Sequence, residues 1–174
     1  MLFIESERLK LLPLTHELLL LLYRSDRSKM EQALGLKPSN MQVDPLYQEE
    51  ITDALINFWL PQTLDHPDRY EWYTNWEIIL KDTNTSIGGI GFAGYPDENG
   101  ITEAGYMLDQ QHQGFGYAAE ALETIVNWAF TNKDVSAVNA RTPVDNIPSR
   151  KLLEKAGFSE LETEGGLVKY QKQR

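Results

Sequence analysis

Cysteine is absent from the 174 residues, which removes disulfide cross-links, thiolate nucleophiles and the soft ligand of most structural zinc sites. Histidine is nearly as scarce: His16, His66 and His112 share no metal-ligand spacing, so no metal is expected. Long hydrophobic runs are missing too. The leucines at 18–22 fall short of a signal-peptide core of ~7–15 residues, and no stretch approaches the roughly 18 apolar residues that span a bilayer. A cytoplasmic protein with no membrane partner is the expectation. Positive charge is in deficit, 16 Lys and Arg against 26 Asp and Glu, for a net charge of −10. A nucleic-acid partner needs a basic face and is not expected, whereas a negative field draws a cationic ligand such as an amine, or else serves solubility alone. A polyanion would find its friendliest region where Arg141, Arg150, Lys151 and Lys155 stand against Asp145 and Glu154, although Lys155 equally suits a helix C-terminus.

What is present is a core and a junction. With 41% hydrophobic residues the chain suffices for one full-sized core, read as a single domain over residues 1–174. Between an apolar strand at 101–108 and a helix lies Gln111-His112-Gln113-Gly114-Phe115-Gly116. The helix is read over 114–130 from Phe115, Ala118, Ala119, Leu122, Ile125, Val126, Ala129 and Phe130, spaced three or four apart. Unpartnered N–H groups at a helix start attract anions, and Gly114 and Gly116 let the backbone come close. Glycines at such a turn also serve tight packing alone, so spacing leaves both readings open. A second cluster, Gly89-Ile90-Gly91-Phe92-Ala93-Gly94, satisfies the dinucleotide pattern G-x-G-x-x-G. A turn follows it instead of a helix, so the phosphate-binding mechanism is missing. Those glycines read as strand residues beside which another backbone or a ligand passes, with Asn99-Gly100 closing a hairpin.

Periodicity and punctuation predict strands at 8–12, 71–81, 86–93, 101–108, 137–142, 159–163 and 167–171. Helices are predicted from Thr15 to 23, for a turn or two after Asp26, at 46–60, at 114–130 and at 147–156. This order gives an α/β (strictly α+β) fold, a mixed and mostly antiparallel sheet flanked by helices. The dense aromatics Tyr70, Trp72, Tyr73 and Trp76 fit core packing, or a pocket for a cationic amine.

Several motifs now resemble one family. Gln111-x-x-Gly114-x-Gly116 after Gly105-Tyr106-Met107-Leu108-Asp109 looks like the coenzyme A loop of the GNAT N-acetyltransferases. Asn146-x-x-Ser149-x-x-Leu152-Leu153-Glu154-Lys155-x-Gly157-Phe158 resembles the signature of the branch with ribosomal-protein N-terminal (alanine/serine) acetyltransferases. Glu5-x-Glu7-Arg8-Leu9 and Ile87-Gly88-x-Ile90-Gly91-Phe92 fit the same branch. Residues 26–70 match nothing in it.

The resemblance implies acetyl transfer from acetyl-CoA to a primary amine, a protein N-terminus or a small molecule, by direct attack in a ternary complex. A non-catalytic acyl-CoA-binding or sensing protein of the same fold is the alternative. The donor would be held by N–H groups of Gln111, His112, Gln113, Gly114, Phe115 and Gly116, and by the main chain of Met107 and Leu108 pairing with its pantetheine arm. The Met107 N–H would polarise the thioester carbonyl. Asn146 would reach the same arm, or serve only as a helix N-cap. Glu103, on one strand face with Gly105 and Met107, would be the general base, or else an edge-strand surface acid. Leu153 replaces a tyrosine common in relatives at the leaving-group position. Ser149, one turn earlier, could protonate or contact the leaving thiolate in its stead, or merely face solvent. Monomer and homodimer both fit.

Overall fold

The computed structural model describes residues 1–24 and 26–174. Short strands β1 (Ile4–Glu5) and β2 (Leu9–Pro13) precede α1 (His16–Arg24) and α2 (Arg27–Ala33). α3 (Pro45–Ala54), a wide π turn (Leu55–Trp59) and α4 (Leu60–Asp65) form a continuous rod. The meander β3 (Asn75–Leu80), β4 (Thr85–Phe92) and β5 (Ile101–Leu108) leads into α5 (Tyr117–Ala129). Then come β6 (Ala137–Pro143), α6 (Ile147–Lys155), β7 (Ser159–Glu164) and β8 (Leu167–Gln173). Among the described residues the strands pair in the order β1-β2-β3-β4-β5-β6-β8-β7, and of these strand pairings β5–β6 alone is parallel. This is the mixed, mostly antiparallel α/β sheet expected. Among the described residues no helix is long and apolar enough to cross a membrane.

Two apolar layers sandwich the sheet. α5 buries Ala121, Leu122, Ile125, Val126 and Ala129 against Leu9, Leu11, Trp76, Ile78 and Ile90. Burying Leu122, Ile125 and Val126 is worth about 1.5–3 kcal/mol each as an upper bound. That anchors the helix whose N-terminus follows the glycine loop. On the other face Leu18, Leu19, Met30 and Leu55 pack on Leu12, Leu14 and Ile79. There the fully buried Glu77 of β3 receives Arg27 at 2.7 and 3.2 Å, Asn75 Nδ2 at 2.9 Å and the Ser86 hydroxyl. A paired acid in the core ties α2 to β3 and β4, because an unpaired one would be very costly.

Three boundaries differ from expectation for local reasons. Tyr70–Trp72 is a 3-10 turn, so β3 begins only at Asn75. The turn is fixed by Trp76 Nε1, which donates to Glu71 O at 2.8 Å. The helix expected over 46–60 runs on to Asp65 through the π turn, where Leu60 N donates to Leu55 O. Pro61 has no N–H to offer the preceding turn, and its ring crowds the carbonyl four residues back. α5 starts at Tyr117, so Phe115 lies outside it, exposed and stacked on Tyr117 with ring centroids 6.0 Å apart.

Candidate active site

β5 has two neighbours that part company. It pairs with β4 as far as Leu108 but with β6 only at Ile101, Thr102 and Glu103. Beyond Glu103 the sheet opens. Ala93 N donates to Glu103 O at 2.8 Å and Asp109 N to Ile87 O at 2.9 Å, with unbroken register between them. Alternation along an antiparallel ladder therefore aims the backbone of Glu103, Gly105 and Met107 at β4, and that of Ala104, Tyr106 and Leu108 into the gap. This corrects the expectation for Met107: its N–H is committed to β4, and the amides facing the gap are those of Tyr106 and Leu108. On β6, Arg174 N donates to Ser136 O and Val144 N to Gly166 O, so the same counting turns the Arg141 backbone toward the gap.

The β4 glycines allow this geometry. A Cβ on Gly88 would overlap the Met107 carbonyl oxygen and stand 2.8 Å from Leu108 Cδ2. A Cβ on Gly91 would lie 2.6 Å from Thr74 O, and one on Gly89 would overlap the Asn75 side chain. The close approach read from the sequence is real, and what approaches is neighbouring strand and side chain.

The glycine loop follows directly. Asp109 ends the strand and organises a 3-10 turn at Gln110–His112. Its carboxylate accepts from Gln111 N at 3.3 Å, His112 Nδ1 at 2.9 Å and Gln42 N at 2.9 Å. Burial pushes the Asp109 carboxyl up, but these donors together outweigh it and hold the group below the usual carboxylate range. His112 N donates to Asp109 O and Gln113 N to Gln110 O, so the amides of Gln111, His112 and Gln113 are already used within the turn. Gln113 Nε2 reaches the Leu108 carbonyl at 3.3 Å. Gly114 and Gly116 both adopt positive φ, +84° and +83°, and Gly116 caps α5 without any side-chain hydrogen bond. The first α5 amide with an acceptor is that of Glu120, which donates to Gly116 O at 3.1 Å. Among the described residues the amides from Gly114 to Ala119 have no protein acceptor. They form an open turn at the positive end of a well-anchored helix, where backbone N–H groups attract anions.

Arg8 secures that turn from behind. Its Nη1 donates to Phe115 O at 2.9 Å, its Nε to Glu120 at 2.7 Å, and the guanidinium lies 4.5 Å over the Tyr117 ring. Glu120 also accepts from the Ser6 hydroxyl and the Arg8 amide. Burial raises the Glu120 carboxyl, and these three donors together bring it below its ordinary value.

Across the gap, α6 begins at an N-cap by Asn146, whose Oδ1 accepts from Ser149 N at 3.2 Å. The Ser149 hydroxyl lies 2.9 Å from the phenol oxygen of Tyr106. Sequence reasoning did not single out Tyr106. The signal was available in strand alternation, which sets Tyr106 on the face opposite Glu103 and so toward α6. Leu153 is buried in the core. Glu103 sits at the closed end of the gap on the other face, about one-third exposed, ion-paired at 3.1 Å with Arg141. The structure thus gathers Tyr106, Ser149 and Asn146, with the 109–116 loop at the end of the same strand, and keeps Glu103 apart. Trp72 and Trp76 are buried against Trp128, with ring centroids 4.7 and 4.9 Å away. Their part of the aromatic cluster is core and not an amine pocket.

Residues 8–159 match the Acetyltransferase (GNAT) domain family. The chain belongs to the GNAT acetyltransferases. An uncharacterized N-acetyltransferase, YjdG, of Bacillus subtilis is 43% identical over 86 residues, 49% of this chain and 51% of that protein. The chain spans about half the length of the first curated relatives it matches. The ribosomal-protein-serine acetyltransferase of Escherichia coli is 26% identical over 149 residues, 75% of this chain and 81% of that protein. Among solved structures, RimL, a ribosomal L7/L12 alpha-N-protein acetyltransferase in complex with coenzyme A, superposes with a TM-score of 0.65 at 19% identity. That match covers 99% of this chain and 98% of that one. In this GNAT domain, then, a split between parallel strands and an open helix-start turn lie side by side.

Proposed function

We propose that this protein transfers an acetyl group from acetyl-CoA to a primary amine, with a protein N-terminal amine as the first acceptor to test. One observation supports the reading most. The edge of β5 that lacks a strand partner, at Tyr106 and Leu108, runs straight into the acceptor-free amides from Gly114 to Ala119, with only Gln113 Nε2 on the Leu108 carbonyl among the described residues. That arrangement suits a ligand with an extended amide-bearing arm and a pyrophosphate: the arm adds as a strand in the gap, and the phosphates meet the turn. Among the expected holders, Gly114, Phe115 and Gly116 contribute amides. Gln111, His112 and Gln113 shape the turn, Leu108 lines the gap through its backbone, and Met107 lies beside it. Asn146 caps α6 through Oδ1, and its amide nitrogen remains a donor toward the arm.

The Tyr106 and Leu108 N–H groups take over the polarising of the acyl carbonyl from Met107. Glu103 accepts the proton of the incoming ammonium, through water, and the Arg141 ion pair at 3.1 Å holds its carboxylate in place. Ser149 faces the leaving sulfur. The resemblance of this domain to ribosomal-protein acetyltransferases supports a protein acceptor, and the acidic chain suits a cationic one.

The test is thiol release from acetyl-CoA with N-terminal peptides and a small-amine panel, alongside calorimetric titration with coenzyme A. Turnover on at least one amine, reduced about 10²-fold or more in Glu103→Gln with coenzyme A affinity kept, is the expected result. Binding without turnover on any amine would instead favour the acyl-CoA-sensing alternative. No binding at all would overturn the reading.

A further inference from the structure

The hydroxyl pair across the gap makes the leaving-group role more specific, and this inference rests on the acetyl-transfer reading above. We propose that Tyr106 is a positioning residue that donates its phenol proton to Ser149 Oγ, turning the Ser149 hydroxyl hydrogen onto the departing thiolate so that sulfur leaves as a hydrogen-bonded anion.

A serine oxygen carries one proton, and its lone pairs can accept. Among the described residues Tyr106 is the only hydrogen-bond partner of the Ser149 hydroxyl, at 2.9 Å. If Tyr106 donates, the serine proton must point elsewhere, and the gap is what lies beside it. The Ser149 amide is held by the Asn146 cap at 3.2 Å, which fixes the backbone from which the hydroxyl reaches Tyr106. Tyr106 is held by its own strand, whose partner β4 carries it as far as Leu108.

Hydrogen bonding, rather than full proton transfer, follows from relative acidity. A phenol ordinarily ionises near about 10. Burial raises that of Tyr106, the Ser149 bond lowers it by less, and the neighbouring Tyr47 raises it again. The phenol therefore stays neutral and is a weaker acid than a thiol, so it does not surrender its proton to sulfur. In the transfer step the C–N bond forms and the C–S bond breaks. The electron pair of the broken bond stays on sulfur, and the nitrogen loses its protons toward Glu103 and water. The thiolate takes its proton from solvent after release. A donor aimed at charge as it develops lowers the barrier without itself ionising.

The absence of cysteine makes a direct test possible, because any thiol titration in the complex belongs to the ligand. The far-ultraviolet thiolate absorbance of bound coenzyme A is followed against pH in wild type, Tyr106→Phe and Ser149→Ala. A complex with desulfo-coenzyme A serves as the blank that subtracts tyrosine ionisation. The expected result is a bound thiol that ionises at least tenfold more readily in wild type than in either variant. The variants should keep coenzyme A affinity within about threefold and lose about tenfold or more in kcat on the acceptor found above, with little change in KM. Tyr106→Phe titrating like wild type overturns the positioning role while the acetyl-transfer reading stands. If Tyr106→Phe fails to fold, Ser149→Ala reads the same titration from the other partner, and a wild-type titration there overturns the proposal equally. A wild-type protein that binds no coenzyme A overturns both.

Discussion

Replacing Gly88 by alanine should unseat the end of β5 while leaving the composition of the site untouched. The added Cβ would overlap the Met107 carbonyl oxygen and sit 2.8 Å from Leu108 Cδ2 and 3.0 Å from Leu108 Cα. Two of those three atoms are backbone, so no rotamer change relieves the clash and β5 itself must move. Overpacking of this kind costs about 1–3 kcal/mol. Movement also loosens the Asp109 N to Ile87 O bond, now 2.9 Å, for about 1 kcal/mol more. The total, about 2–4 kcal/mol, lowers the melting midpoint of a domain this size by roughly 5–15 °C. It also displaces the Leu108 amide, so coenzyme A binding should weaken as well. Gly105→Ala is the control, because its Cβ would meet nothing within 4 Å and its φ is ordinary. That variant should unfold within about 0.5 kcal/mol of wild type, or slightly later. Urea unfolding and calorimetry on the two variants decide the matter. A Gly88→Ala protein as stable as Gly105→Ala would refute the close approach on which the site geometry depends.

Gly114→Ala tests the turn by a different mechanism. Nothing lies within 4 Å of its Cβ, but φ is +84°, so a cost of about 1–2 kcal/mol is purely conformational. Coenzyme A affinity, read by calorimetry, should fall several-fold; unchanged affinity would remove Gly114 from the site. Glu120→Gln tests the Arg8 latch and carries a pH signature. The folded Glu120 carboxyl lies below its unfolded value. Its stabilising contribution is therefore present above about pH 4 and lost as pH falls through the folded value. The variant should be about 1–2 kcal/mol less stable than wild type at pH 7, with the gap closing below pH ~4 in urea titrations at each pH. A gap that persists unchanged in acid would show that the Glu120 charge is not what latches the turn.

The elements that the sequence made legible are those whose pattern is local. Strand alternation located β4, β5 and β6 to within a residue or two. Asn99-Gly100 marked the hairpin, where Gly100 adopts φ +74°. The apolar stripe from Ala118 to Ala129 found α5. Boundaries failed where one distant atom decides them, as with the Trp76 indole that fixes the 3-10 turn. Within the site, Gly114, Gly116, Asn146 and Ser149 were visible as motif positions. Which amides are open was not, because that depends on the register of β5 against β4 and on where β6 leaves. Tyr106 and Ser149 lie 43 positions apart, and Arg8 and Glu120 lie 112 apart. No periodicity couples residues at such separations.

Charge is where local and global readings collide, and the structure decides how. Coenzyme A is a polyanion, and the chain carries −10, so the basic stretch near Arg141 was the natural place to look for compensation. Its two arginines are engaged: Arg141 with Glu103 at 3.1 Å, Arg150 with Glu160 at 3.3 Å and with the Tyr170 hydroxyl. Arg8 is held by Glu120 and the Phe115 carbonyl. Lys151 and Lys155 are exposed on α6. On the proposed reading, binding leans on the neutral N–H groups of the turn at short range against a repulsive field at long range. Salt screens the long-range part first, over a distance of about 10 Å at 0.1 M. Coenzyme A affinity should accordingly hold or rise between low and physiological ionic strength, and the association rate should rise with it. A site built on lysine and arginine would weaken steeply over the same interval. Calorimetry and stopped-flow binding across that range distinguish the two, and a steep loss of affinity with salt would overturn the amide-turn account of the donor site.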